Sequence, residues 1–149
     1  MADSSDSPDF EPDSVPVQPD FSVRRARKAD MDAVRGMVSL LFPNSRGRQL
    51  PGDRYLVAVK GSVPIGFCHY RMRGKICYMA GLGVLAQYRE HGAGSRLMAE
   101  ALHRVDRKGV QVTYLKVRAI NHAAKLYVGF GFFEKKSGDT LLLVRKMPS

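Results

Sequence analysis

Leu82-Gly83-Val84-Leu85-Ala86-Gln87-Tyr88-Arg89-Glu90-His91-Gly92-Ala93-Gly94 runs from an apolar extended segment into a glycine-rich turn, and an apolar stripe of Leu97, Met98, Ala101, Leu102 and Val105 follows. The periodicity reads as strand, turn, helix. Glycine has no Cβ, so backbone N–H groups in the turn can approach an anion, and the unpaired amides that open a helix point its positive dipole end at the same place. Arg89, His91 and Arg96 add positive charge around it. The pattern predicts a diphosphate site. A dinucleotide-binding turn is the competing reading, but it needs a third glycine and an acidic residue about 20 positions further on. The strand expected there, Val112-Thr113-Tyr114-Leu115-Lys116-Val117-Arg118, has no carboxylate.

Outward from this segment the chain alternates strands and helices. Residues 21–25 read as a strand, and Asp30 is placed to cap a helix with the stripe Val34, Met37, Val38 and Leu41, ended by Pro43. Residues 55–59 and 63–72 pair as a hairpin across Gly61-Ser62, and Arg73-Gly74 turns the chain into a long strand over 75–86. A Glu100–Arg104 pair supports the glycine-initiated helix, which is expected to stop near Gly109. Residues 111–119 form the next strand and Asn121 caps a short helix. The last hairpin, 132–136 with 140–147, closes around Ser137-Gly138-Asp139.

With 149 residues and 44% hydrophobic content the chain can bury one core, and no window holds the roughly 20 apolar residues of a membrane span. No membrane partner is expected, and the absence of a basic-then-apolar opening points to the cytoplasm. Cys68 and Cys77 fall on neighbouring strands without metal-ligand spacing, which predicts buried free thiols. The net charge of +10 hides an asymmetry: six of the fourteen acids fall in residues 1–20, which contain no Lys or Arg, so the remainder carries a net +16. Residues 1–20, rich in Ser, Pro and Asp, are expected to be a disordered acidic leader ahead of a folded domain over 21–149.

Arg89-Glu90-His91-Gly92-Ala93-Gly94 resembles the Gln/Arg-x-x-Gly-x-Gly/Ala acyl-CoA signature of the GNAT acetyltransferase superfamily. Asn121-His122-Ala123-Ala124-Lys125-Leu126-Tyr127, followed by Gly129-Phe130-Gly131-Phe132, is similar to the same family's Asn-x-x-Ala-x-x-x-Tyr-x-x-x-Gly-Phe segment, with one residue fewer between Ala124 and Tyr127. The resemblance covers residues 21–147. It implies an α/β mixed-sheet fold, the acyl-CoA N-acyltransferase fold, running strand, helix, three strands, helix, strand, helix, two strands, with the fourth and fifth strands splayed into a cofactor slot. It further implies acetyl-CoA as co-substrate. Backbone groups of Leu82, Gly83 and Val84 would hold the pantetheine arm. Arg89 and the turn of His91, Gly92, Ala93, Gly94, Ser95 and Arg96 would take the diphosphate, with Asn121 lining the cofactor's path. Transfer in such enzymes passes directly to a primary amine, so no nucleophilic Ser or Cys is required. Tyr127 stands where the family's leaving thiolate is commonly protonated.

The acceptor is less evident. Neither Tyr78-Met79-Ala80-Gly81 nor Lys116 provides the carboxylate base that many family members carry on these two strands. An α-amine titrates at about 7.7 to 8.0 and a lysine at about 10.4, a gap worth roughly 3.5 kcal/mol of deprotonation. A weak base therefore favours an N-terminal α-amine over a lysine, with Tyr78 relaying the proton through water. Tyr78 with Leu82 to Arg89, and Phe42-Pro43 after the first helix, resemble the NatE-type branch of protein N-terminal acetyltransferases, where the Phe-Pro segment shapes the pocket for the substrate's first residue. Two departures stand against direct transfer: Lys116 replaces that branch's catalytic His, and Asn44-Ser45-Arg46 lacks its substrate-gripping Tyr. A small amino metabolite bearing a carboxylate is the alternative acceptor. From another class, a catalytically weak acyl-CoA-binding module associated with nucleic acid or ribosomes is the rival reading, suggested by the basic body but not favoured. The resemblance is consistent with a monomer or a homodimer. His69, His103 and His122 read as surface or packed residues, while His91 sits inside the anion turn.

Overall fold

The computed structural model describes residues 20–44, 50–119 and 124–147. β1 (Ser22–Arg25) leads through a 3-10 turn at Lys28–Asp30 into α1 (Met31–Leu41). β2 (Asp53–Lys60), β3 (Val63–Arg73) and β4 (Ile76–Val84) form an antiparallel meander, and α2 (Ala93–Arg107) crosses over to β5 (Val112–Arg118). α3 (Ala124–Gly129), β6 (Phe133–Lys136) and β7 (Thr140–Lys146) follow. The strands make one seven-stranded sheet in the order β1-β2-β3-β4-β5-β7-β6. Among the described residues only β4 and β5 run parallel, and a parallel pair requires a crossover such as α2. The expected element order is borne out.

The meander turns at Gly61 (φ +62°) and Gly74 (φ +59°), where a side chain would be strained. Each sheet face buries a separate core. On one face α2 lays down Ala93, Leu97, Met98, Ala101, Leu102 and Val105 against Leu56, Cys68, Tyr70, Cys77 and Met79. On the other, Val34 and Met37 of α1 cover Val57, Val59 and Phe67. Full burial of one such aliphatic or aromatic side chain contributes roughly 1.5–3 kcal/mol. The Glu100–Arg104 pair forms, at 2.7 Å. Cys68 and Cys77 are buried free thiols, as expected. Among the described residues no helix is long and apolar enough to cross a membrane.

One expectation needs correction. Asp30 occupies the N-cap position of α1, but its side chain does not cap that helix. The carboxylate turns back, accepting from Arg24 (Nη1 at 2.7 Å, Nη2 at 3.2 Å) and from the Arg27 amide at 2.6 Å. It therefore ties β1 to the 3-10 turn. The Arg24 guanidinium, then the Arg27 amide, hold the Asp30 carboxyl below its ordinary value despite its burial. A carboxyl depressed in the folded state stabilises it above the unfolded value and loses that contribution as pH falls through the folded one. Asp30→Asn is expected to lower stability at pH 7 by about 1–2 kcal/mol. It should also flatten the loss of stability below pH 4, both read from urea melts across pH.

Candidate active site

β4 and β5 pair at only three rungs, Ile76–Val112, Cys77–Thr113 and Tyr78–Tyr114. Beyond the last, β4 stays on β3 as far as Val84 and β5 stays on β7 as far as Arg118, so the two strands part. Part of the cause lies in β4. His69 pairs with Gly81 and Tyr70 with Met79, which leaves Ala80 as an extra, unpaired residue. Such a bulge bends its strand and increases local twist. At the fork the Tyr78 and Tyr114 rings lie 5.0 Å apart, tilted by 34°. Among the described residues, the β4 edge that faces β5 has no strand partner from Met79 to Val84. Backbone donors and acceptors left open in this way can receive an extended ligand arm.

That edge runs into the anion turn. Glu90 (φ +67°) and Gly92 (φ +87°) both take left-handed backbone, which costs Glu90 roughly 1 kcal/mol and Gly92 nothing. Gly92 is the N-cap of α2 and offers no side-chain bond. The first helical bond is Arg96 N–H to Gly92 O at 3.0 Å, while the amides of Ala93, Gly94 and Ser95 have no backbone acceptor among the described residues. No acidic residue stands in the first turn of α2. A Cβ placed on Gly92 would meet nothing within 4 Å, so the approach to these amides is open. Three free N–H groups at the positive end of a 15-residue helix suit a pyrophosphate. Of the amide run expected over 91–96, that of Arg96 is spent on the helix, and those of His91 and Gly92 also have no backbone acceptor among the described residues.

The turn's cations have distinct places. Arg89 Nε donates to the Val84 carbonyl at 3.0 Å, bracing the strand end and already using that acceptor. The Arg96 guanidinium stacks 5.5 Å over Phe21. His91 and Ser95 are exposed. Leu82 packs partly into the α2-side core. Gly83 serves the opposite side: a Cβ there would lie 2.8 Å from Leu41 Cδ1, 3.0 Å from Phe67 Cε1 and 3.3 Å from Phe42 Cε2. Phe42 stands edge-on to Phe67 at 6.1 Å, so the end of α1 closes directly onto Gly83. Pro43 follows it on an exposed turn.

The two tyrosines sit on opposite faces of the sheet. Tyr127 belongs to the α2-side core and meets Phe132 edge-on at 5.9 Å. Burial, with a smaller contribution from Cys68, pushes its phenol up to about 12. Tyr78 lies between Cys77 and Met79, both buried on the α2 side, and so points to the α1 side. By the same alternation Tyr114, Lys116 and Arg118 share that face, opposite buried Thr113, Leu115 and Val117. Beside Tyr78 and Tyr114 opens a cavity of about 530 Å³ whose other walls include Leu50, Gly52, Arg71 and Arg73. Phe42 and Pro43 do not line it. Asn121 lies outside the described residues.

Sequence reasoning missed the cluster behind this cavity. The Asp53 side chain, only 2% exposed, accepts from Arg71 Nε at 2.7 Å and from the Leu50 amide at 2.7 Å. His69 Nε2 lies 3.0 Å from the same carboxylate, and its ring stacks on Tyr55 at 4.3 Å. Burial alone would raise the Asp53 carboxyl; the Leu50 amide, His69 and Arg71 together outweigh it and hold the group below its ordinary range. Arg71 reaches on to within 6.0 Å of the Tyr78 ring centroid. Asp53 thereby pins the Leu50 end of the preceding loop to the cavity wall. The polar alternation at 53/55 and 69/71 was the available signal.

Residues 23–132 match the model of the Acetyltransferase (GNAT) family, and the chain belongs to that family. No curated protein matches its sequence. Among solved structures it is similar to Arabidopsis thaliana Naa50 in complex with the bisubstrate analogue CoA-Ac-MVNAL, at 22% identity over 86% of this chain and 99% of that one, with a TM-score of 0.73. It is also similar to the ribosomal-protein-S18-alanine N-acetyltransferase from Escherichia coli, at 17% identity, 87% and 96% coverage and a TM-score of 0.71. A third is the PaiA N-acetyltransferase from Thermoplasma acidophilum in complex with coenzyme A, at 16% identity, 85% and 99% coverage and a TM-score of 0.71. At these identities the likeness is one of fold.

Gly83→Ala forces a methyl against Leu41 and Phe67. It is expected to lower stability by about 1–3 kcal/mol in a denaturant melt, whereas Gly94→Ala, whose Cβ would meet only Val84 Cγ2 at 3.9 Å, should cost less than half as much.

Proposed function

We propose that the chain is an N-acetyltransferase that moves acetyl from acetyl-CoA directly to the α-amine of a peptide or protein N-terminus. The observation that carries the reading is the unpaired β4 edge ending in three acceptor-free amides. Acetyl-CoA would supply a reactive acetyl thioester, and the chain's residues then bind, orient and manage protons. The β4 edge over Met79–Val84 would hold the pantetheine as an added strand, and the amides of Ala93, Gly94 and Ser95 the pyrophosphate. Tyr127, protonated at every ordinary pH, would hydrogen-bond the departing sulfur from the dry face. Tyr78 would take the amine's proton through water from the other face. Positioning and fixed backbone dipoles would contribute most of the rate. On this reading residues 21–149 form the catalytic domain.

The acceptor side supports a peptide. The cavity beside Tyr78 is bordered by Arg71 and Arg73, with exposed Lys116 and Arg118 on the same face of the sheet. Peptides with an acidic residue after the first are the preferred class, and polycations are poor acceptors. The Naa50 complex and the S18-alanine enzyme lend the family precedent for N-terminal acceptors. A small amino acid is the second reading, favoured by the same cationic lining.

Release of coenzyme A thiol, measured with acetyl-CoA against peptides varied at their first two residues and against free amino acids, tests the proposal. Turnover with acidic-second-residue peptides is expected, and no release with any amine would replace the enzyme by a binding module. Tyr127→Phe should lower kcat at least about 100-fold while leaving the rise in Tm on acetyl-CoA binding intact. Gly92→Val, strained at its positive φ, should abolish that rise. Because Tyr127 is pushed up to about 12, the wild-type rate should climb with pH and show no alkaline fall below pH 10 from this group.

A further inference from the structure

The far end of α2 borders a second cavity, of about 460 Å³, on the α2 face of the sheet. Its lining combines Arg25 of β1, Arg54 of β2, and Arg104, Arg107 and Lys108 from the last turn of α2 and just beyond, with Tyr70 also on the wall. Tyr70 is only 3% exposed. Burial raises its phenol, while the charges of Arg104 and Arg54, which line the same hollow from two different elements, act on it in the opposite sense. The single acid in the lining, Glu100, is held by Arg104 at 2.7 Å. Among the described residues no carboxylate forms an ion pair with Arg25, Arg54, Arg107 or Lys108.

Cations gather at helix C-termini for a reason that needs no ligand, because the dipole there is negative. That accounts for Arg104, Arg107 and Lys108. It does not account for Arg25 and Arg54, which two strands bring to the same hollow. Crowding five cations around one hollow is unfavourable unless an anion enters, and the body's net +16 raises the local concentration of polyanions further. Guanidinium forks match phosphate oxygens bidentately. The hollow is also separate from the amide turn, since the 15 residues of α2 span roughly 22 Å.

We propose that this hollow is a second phosphate site, distinct from the acyl-CoA turn, that takes a polyanionic phosphate ligand, whether consecutive phosphates of an RNA backbone or a free diphosphate. It does not rest on the acetyltransferase reading. Binding is measured with acetyl-CoA in excess, so that the turn is filled, by anisotropy of a short labelled single-stranded RNA and by calorimetry with pyrophosphate. Arg54→Gln/Arg107→Gln should weaken binding about ten-fold and reduce the salt slope by roughly one to two. Lys135→Gln/Lys136→Gln, an equal charge change on β6, should alter it less than two-fold. RNA binding without pyrophosphate binding assigns the site to a polymer, and the converse to a small diphosphate. If neither binds, or if the β6 variant loses as much as the cavity variant, the proposal is overturned. Retention of the acetyl-CoA Tm shift verifies folding. Should the double variant not fold, Arg107→Gln alone, on an exposed helix end, carries the same comparison at about half the slope change.

Discussion

Backbone hydrogen bonding along β4 loses one of its two partners at Tyr78, and the rest of the site depends on that loss. Beyond this rung β5 stays with β7, which pairs its opposite edge from Val112 to Arg118. β4 stays with β3, which pairs its other edge as far as Val84. The extra residue at Ala80 bends β4 within the stretch where the strands separate. An open edge inside a sheet is ordinarily a liability. Here it leads, without a break in the chain, to the amides at the start of α2. One continuous path therefore presents strand-like hydrogen bonds first and helix-dipole stabilisation second, in the order that an arm ending in a pyrophosphate needs.

The fold was legible because its elements are locally consistent. Period-two apolar stretches, turn glycines at 61 and 74, and the stripe from Leu97 to Val105 all point to the structure observed. The amide turn was legible for the same reason, as it lies in one stretch of chain. What escaped depends on contacts between distant segments. Counting back symmetrically from the Gly61-Ser62 turn sets Asp53 opposite Tyr70. The register shift at Ala58/Val59 moves it opposite Arg71 instead, and Tyr55 opposite His69. A single bulge hid the Asp53 cluster. Asp30 was misread as a helix cap because Arg24, six residues earlier, competes for its carboxylate. Gly83 has a packing role that its place in the strand does not reveal: its missing side chain admits Leu41 and Phe42, over forty residues away in sequence.

The sheet separates two environments. On the α2 side the core is dry, and a phenol placed there stays neutral because water is missing to solvate its anion. On the α1 side beyond the reach of α1, tyrosines and arginines line an open cavity. A slot between the two faces can deliver a reacting group to both, so a proton donor and a proton acceptor need not share a solvent environment. Asp53 stiffens the wet side, since one buried carboxylate gathers a loop amide, an imidazole and a guanidinium. That leaves the wall of the cavity fixed while its mouth remains open.

Cys68 and Cys77, the chain's two cysteines, are wholly inaccessible on adjacent strands, and burial pushes both thiols up to about 12. Neither sulfur exists as a thiolate at neutral pH, and neither can be reached by a reagent while the sheet is intact. The thiols of the folded molecule are therefore silent toward thiol-directed reagents. A chromogenic sulfhydryl indicator added during turnover has no background from the polypeptide, and the sudden appearance of two reactive equivalents per chain would instead report that the sheet has come apart.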